Sequence, residues 1–415
     1  MKPARRIEPT EWMRADATRA VVDALTADGQ EIRFVGGSVR DALLGGGNTT
    51  AHRDIDIATP HTPHQVIALL DNAGIKNIPT GLAHGTVTAV VDGRHFEITT
   101  LRIDVETHGR HADVAFTDDW QEDAARRDFT MNALSCTPEG DLYDPWDGIR
   151  DLEAGRVRFV GDAERRIEED HLRLLRFFRF HAWYGKGAPD KDGLAACAAW
   201  APSLAKLSGE RIQREMLKLL AAPDTAAVID IMAANGVLAE LVPGVSDTTT
   251  LRGLQSIETT ANPVRRLAAL MRSSGNAAAA AKVAEQWRLS NRDHERLAAL
   301  LSPPANISDD LEWRGLRCEL YAHGGERVID WLMLAWAERA GDGETLRPMI
   351  EQARQWRPVT LPVKGTDALA LGIPSGPEVG EMLEAVEHWW IAEDFAPTRD
   401  ECLDKLRVVA ASRGS

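Results

Sequence analysis

Two aspartates, Asp54 and Asp56, flank Ile55 in a β-branched stretch that follows the turn-like run Gly36-Gly37-Ser38-Val39-Arg40-Asp41. Alternation along a strand sends both carboxylates to one face and Ile55 and Ile57 to the other. Hard oxygen donors paired in this way suit a divalent cation such as Mg2+. Gly36 and Gly37 would let backbone N–H groups approach phosphates, and Arg40 adds a forked donor. The chemistry open to this combination is metal-assisted transfer of a nucleotidyl group. An isolated Asp-x-Asp is more simply a solvated strand face, and it is the glycine turn that tips the balance towards function. Glu97, in Phe96-Glu97-Ile98-Thr99, is the best-placed third catalytic carboxylate, although an exposed strand residue reads equally well there.

A second constellation spans Arg126 to Asn132. Arg127 can donate to phosphate and Asp128 can accept from ribose hydroxyls, with Arg126 and the Asn132 amide beside them. The plainer alternative is an Arg–Asp ion pair at a helix end. A third lies in Glu168–Tyr184, which at about 100° per residue reads as one helix. Asp170 would head an arginine ladder of Arg173, Arg176 and Arg179, with Leu174, Leu175, Phe177 and Phe178 on the buried side. A carboxylate next to a guanidinium complements the amino donor and ring-nitrogen acceptor that cytosine and adenine share. Uracil and guanine would leave both groups facing the wrong partner.

The elements that must hold these residues are those of an α+β chain. A polar helix at about 10–27 precedes a strand Ile32–Gly37, a helix starting near Ser38, a strand Asp54–Thr59 and a helix Pro63–Ala73. Segments 85–92 and 94–102, joined by Asp92-Gly93, predict a hairpin. Residues 103–120 read as a polar, mobile loop, followed by a helix reaching Arg127 and a strand pair near 130–144. From Arg165 to Ser412 only helical patterns follow, so a small mixed head precedes an all-helical remainder.

Composition narrows the classes. The chain has 415 residues with a formal net charge of −15, which argues against general coating of nucleic acid but permits a local basic surface. Arginines concentrate within 123–220, where a polyanion would dock. The four cysteines form no CxxC pair, so neither a zinc site nor a disulfide framework is signalled. No apolar run approaches the ~20 residues of a membrane span, and a cytoplasmic protein with no membrane contact and no obligate protein partner is expected.

Gly36-Gly-Ser-Val-Arg-Asp41, Asp54-Ile-Asp56, Arg126-Arg-Asp-Phe-Thr-Met-Asn-Ala133 and Glu169-Asp-His-Leu-Arg173 occur in the order and approximate spacing of the class II tRNA nucleotidyltransferase and bacterial poly(A) polymerase family, which the chain resembles over roughly residues 30–220. It looks most like the CCA-adding members. The resemblance implies a polymerase-β-type head at 31–155 behind an N-terminal helix at 1–30, a neck at 156–220 carrying the nucleotide-selecting helix, an RNA-binding body at 221–340 and a tRNA-binding tail at 341–415. It implies Mg2+ on Asp54 and Asp56, CTP and ATP as donors, and a tRNA 3′ end as acceptor. The motif at Arg126–Ala133 selects ribonucleotides in that family, and the pair equivalent to Asp170 and Arg173 serves as a protein template. His171 departs from the family's usual small residue or proline. Gly209–Leu220 resembles the neck helix, whose Arg211 and Arg214 could touch triphosphate or RNA backbone, and Lys364 sits in a Gly-Pro-rich segment that could meet the tRNA elbow as a phosphate contact. The polar loop after Arg102 fits the family's flexible loop, which helps switch from C to A addition. Alternatives are a poly(A) polymerase, a CC-adding or A-adding enzyme, and a small-molecule nucleotidyltransferase. The motifs at Arg126–Asp128 and Glu169–Arg173 speak against the last.

Overall fold

The computed structural model describes residues 1–45, 55–108, 111–245, 247–272, 277–305, 307, 311–339 and 342–413. It divides into two compact units, Met1–Pro243 with Glu285–Arg288, and Gly244–Ala284 with Leu289–Ser415.

The first unit is built on a mixed sheet. Its strands are β1 (Arg5–Arg6), β2 (Arg33–Val35), β3 (Ile55–Thr59), β4 (Lys76–Gly81), β5 (Thr86–Val91), β6 (Arg94–Thr100), β9 (Ser135–Cys136) and β10 (Asp141–Tyr143), while β7 (Arg102–His108) and β8 (His111–Phe116) form a separate pair. The spatial order is β1-β10-β9-β2-β3-β6-β5-β4. In the middle, β3 runs antiparallel to β2 and parallel to β6, with Ile55 opposite Phe96, Asp56 opposite Glu97 and Ile57 opposite Ile98. The apolar members of this alternation are all at least 95% buried. They form one core with Met13, Ala17, Val21 and Leu25 from the N-terminal helices and Val66 and Leu70 from the helix Pro63–Asn72. That helix opens on a capping box of Thr62 and Gln65 with Pro63 in its first turn. The opposite sheet face carries Asp56 and Glu97 and a small apolar patch of Val35, Ala58, Leu101 and Trp120. At the β5–β6 turn Asp92 and Gly93 take φ of 51° and 74°, the mirror-image turn that suits a twisted hairpin.

Four expectations need correction. The N-terminal helix at 10–27 is two helices, Glu11–Arg14 and Asp16–Leu25, because Ala15 is extended at φ −62°, ψ 141°. Residues 103–120 are not a loop: β7 and β8 pair antiparallel from Arg102↔Phe116 to His108↔His111. Alternating Ile103, Val105 and Thr107 supply the period, which the Gly and His content near the tip obscured. The base of this hairpin is tied to the main sheet, Leu101 N–H donating to Thr59 O at 2.8 Å and Thr117 N–H to Leu101 O at 3.0 Å. Strands β1 and β4 went unread because each is a polar edge strand, β4 with Pro79 inside it. Finally, Glu168–Tyr184 is not one helix. Asp170 is extended at φ −152°, ψ 105° and separates Ala163–Glu169 from Leu172–Tyr184.

After β10 the first unit is helical and ends on Gly209–Leu220, Thr225–Ala234 and Val237–Leu241. Glu285–Arg288 belongs to it through Trp287, fully buried, whose indole N–H donates to Leu241 O at 3.3 Å.

The second unit is helical throughout its described residues, from Thr249–Ile257 to Arg399–Arg413. Buried carboxylates at Glu258 and Asp330 hold Arg265, Arg266 and Arg296. Towards its C-terminal end Val363, Met382, Val386, Trp390, Cys402 and Leu406 make a local core. Trp390 is buried there and Trp389 half-buried, with Tyr321 and Phe395 against the Trp390 ring. No helix among the described residues is long and apolar enough to cross a membrane.

Candidate active site

Asp56 stands half-buried on the polar face of β3, in register with the exposed Glu97 on β6. Parallel neighbours in register share a face roughly 4.8 Å apart, so these two carboxylates project to the same side. Asp54 lies outside the described residues. Among those described, no group of three acidic, histidine or cysteine side chains gathers as a metal cluster.

Behind Asp56 the chain turns through Gly36, at φ 70°, ψ −135°, into the helix Gly37–Leu43. A Cβ on Gly36 would meet Asp56 Oδ2 at 3.2 Å and an Arg127 terminal nitrogen at 3.8 Å. The missing side chain thus lets the backbone pass close to both, and it fixes the predicted neighbourhood of the glycine turn, the strand aspartate and Arg127. A Cβ on Gly37 would sit 3.4 Å from Arg40. Arg40 is buried, donates to Asn132 Oδ1 at 2.8 Å and lies 4.3 Å over the Tyr184 ring.

From Asn132 the polar network continues into the arginine helix Leu172–Tyr184. Asn132 Nδ2 donates to Asp128 Oδ1 at 3.0 Å and Arg176 Nε to Asp128 Oδ2 at 2.7 Å. Arg176 also lies 3.8 Å from Glu215 on the helix Gly209–Leu220, and Arg179 donates to the same Glu215. Arg173 is held by Glu169 at 2.6 Å and donates to Arg126 O at 3.0 Å. Arg126 and Arg127 share Asp123, at 2.7 Å and 3.0 Å. Every rung of the ladder therefore has a carboxylate, while Leu174, Leu175, Phe177 and Phe178 fill the core beneath it. Burial alone would push the Asp128 carboxyl up, but Arg176 and the hydrogen bonds from Asn132 and Phe129 hold it below the usual carboxylate value. Asp123 follows the same pattern, burial being outweighed by Arg127 and Arg126. Burial likewise opposes the charge on Arg176, yet Asp128 and Glu215 raise its pKa above the ordinary value, whereas Arg179, with burial the larger influence, is lowered.

Asp170, on the extended link between the two helices, receives Arg211 at 2.8 Å and 3.0 Å. Asp170 and Arg173 thus flank the same turn, Arg173 N–H donating to Asp170 O at 2.9 Å, while their side chains hold other partners. Arg214 is exposed on the neck helix, and Lys364 is exposed at the start of the helix Gly365–Ala370 of the second unit. Two residues of this network were not singled out from the sequence. Asp123 is three and four positions before Arg126 and Arg127, a spacing that could have revealed it. Glu215 lies among Ile212, Met216 and Leu219, a buried carboxylate on an otherwise apolar face that signals a partner on another element.

A profile described as "Poly A polymerase head domain" matches residues 32–158, and one described as "Probable RNA and SrmB- binding site of polymerase A" matches 188–248. The human protein named "CCA tRNA nucleotidyltransferase 1, mitochondrial" is 33% identical, over 94% of this chain and 90% of its own length. The "CCA-adding enzyme" of Geobacillus thermodenitrificans is 33% identical over 88% of this chain and 90% of its own. Among solved structures, the Bacillus stearothermophilus CCA-adding enzyme in complex with CTP is similar with a TM-score of 0.78 at 29% identity, covering 96% of this chain and 98% of that one.

Proposed function

Since the chain belongs to the family of CCA-adding tRNA nucleotidyltransferases, we propose that it adds C and A to the 3′ end of tRNA from CTP and ATP, without a nucleic-acid template and with release of pyrophosphate. What supports this most directly is the close approach of the Gly36 turn to Asp56 and Arg127, together with the run of hydrogen bonds from Arg127 through Asn132 and Asp128 to the arginine helix. Such a run joins a face suited to metal and triphosphate to one suited to ribose and base.

Family members work with a divalent cation, and we take it to be Mg2+. The hard oxygens of Asp56 fit such an ion; Asp54 and Asp56 would hold it, with Glu97 as the neighbouring third carboxylate. When bound, it would polarise the α-phosphate and ease deprotonation of the tRNA 3′-hydroxyl. Gly36, Gly37, Arg40, Arg126 and Arg127 are the surroundings proposed for the triphosphate. Asp128 and Asn132 would accept and donate at the ribose, their own hydrogen bonds having already fixed their orientation. Asp170 and Arg173 would read the base, with Arg176 and Arg179 stiffening the helix that carries them. Arg214 and Lys364 are proposed RNA-backbone contacts. The compartment proposed is the cytoplasm, where the unpaired Cys136, Cys197, Cys318 and Cys402 would stay thiols.

The test is incorporation of each labelled nucleotide, separately, with Mg2+ and tRNA ending before or within CCA. CTP should be used first on tRNA lacking CCA and ATP only after two cytidines, and Asp56→Ala should lower the rate at least about a hundredfold. Long adenylate tails on unrelated RNA would instead identify a poly(A) polymerase.

A further inference from the structure

The carboxylate of Asp170 is unusually well held for a side chain on an extended link. Its Oδ1 accepts the Leu172 backbone N–H at 3.1 Å and Arg211 at 3.0 Å, and its Oδ2 accepts the same Arg211 nitrogen at 2.8 Å. A carboxylate offers about four acceptor positions. Three contacts converge on this one, leaving a single position, on Oδ2. That is the number needed to take one N–H from an exocyclic amino group. The side chains of Asp170 and Arg211 remain 27% and 21% exposed, so an incoming base can reach them.

We propose that Arg211 is a specificity-determining residue, which locks the Asp170 carboxylate in the orientation that accepts an amino donor and refuses a carbonyl. This rests on the reading of Asp170 as the base-selecting carboxylate given above. It also changes the role expected of Arg211 from a contact to triphosphate or RNA backbone to one that acts through Asp170. A pyrimidine or purine presenting a carbonyl oxygen at the open position meets an acceptor with an acceptor. Without Arg211, Asp170 could swing aside and replace that repulsion by water. With Arg211, rotation breaks two hydrogen bonds to a guanidinium, so the wrong base is refused by an unpaired, desolvated oxygen. The neck helix Gly209–Leu220, which carries Arg211 in its first turn, thereby takes part in choosing the nucleotide.

The experiment compares kcat/KM for CTP and UTP on tRNA lacking CCA, in the parent, Arg211→Ala, Arg211→Lys, Asp170→Ala and the Asp170→Ala/Arg211→Ala double variant. Loss of Arg211 should lower the CTP-over-UTP ratio about tenfold, and the double variant should be no less selective than Asp170→Ala alone, because the two residues act as one unit. Arg211→Lys, whose ammonium keeps the charge but sits on a shorter, more flexible stem, should fall between, and it carries the comparison if the alanine variant fails to fold. An unchanged ratio in both Arg211 variants, with a raised KM for tRNA whichever nucleotide is used, overturns the proposal in favour of an RNA contact. An unchanged ratio in Asp170→Ala overturns the base-reading assignment itself.

Discussion

Asp128 shows how a buried carboxylate is made affordable. It lies against Arg176, Asn132 and its own neighbour's N–H, and these hold its carboxyl below the ordinary value in spite of burial. A folded-state pKa below the unfolded one stabilises the fold at pH values above the unfolded value, about 3.9, and that contribution is lost as pH falls through the folded value. The share of the thermal midpoint due to Asp128, read as the difference between the parent and Asp128→Asn from pH 7 down to pH 2.5, should therefore be level until about pH 4 and then drop. Asp128→Asn should lower the midpoint at neutral pH and flatten the acid limb; an acid limb as steep as the parent's would show that Asp128 is not a source of the dependence. The residues proposed for the site stood out in the sequence because carboxylate, guanidinium and glycine are spaced as such chemistry requires. Their partners were less so. Asp123 could be reached through helical spacing, but Glu215 meets Arg176 and Arg179 only because two helices lie side by side, a relation that no spacing encodes.

At the scale of elements, alternation and turn chemistry carried the central strands, and Asp92-Gly93 forms the turn its composition announced. What failed was continuity. The arginine-bearing segment has the amphipathic pattern of a single helix, and periodicity cannot register one extended residue such as Asp170. Edge strands failed for a different reason, having no buried face to imprint a pattern. The turn before Gly37–Leu43 gives an element-level prediction. Gly36 combines a positive φ with an approach to Asp56 in which an added methyl would stand 3.2 Å from a carboxylate oxygen. Gly36→Ala should cost about 1–3 kcal/mol of stability for the backbone conformation and a larger fraction of activity, because the strain is relieved by displacing Asp56. Urea unfolding and CTP incorporation measured side by side will decide. Loss of stability with full turnover would mean that Asp56 need not be held where this turn holds it.

On the scale of the molecule, the sequence reads as a head and then helices in series, but the chain is not assembled so simply. It leaves the first unit at Pro243 and re-enters it at Glu285–Arg288, where Trp287 is fully enclosed and Arg288 pairs with Glu210 at 2.7 Å. A tryptophan more than forty residues beyond Pro243 gives no local sign of where it docks. Trp287→Ala should destabilise the first unit by about 3–5 kcal/mol, seen as earlier loss of nucleotide incorporation on heating; an unaltered inactivation temperature would count against Trp287 as part of that core. Sheet order has a consequence for biosynthesis. Because β9 and β10 come from residues 135–143 yet lie between β2 and β1, a nascent chain emerging from the ribosome presents β2 as a raw, unsatisfied margin until more than a hundred later residues have been translated. Premature release anywhere in that interval would yield fragments with a sticky flank, whereas release beyond Tyr143 would not.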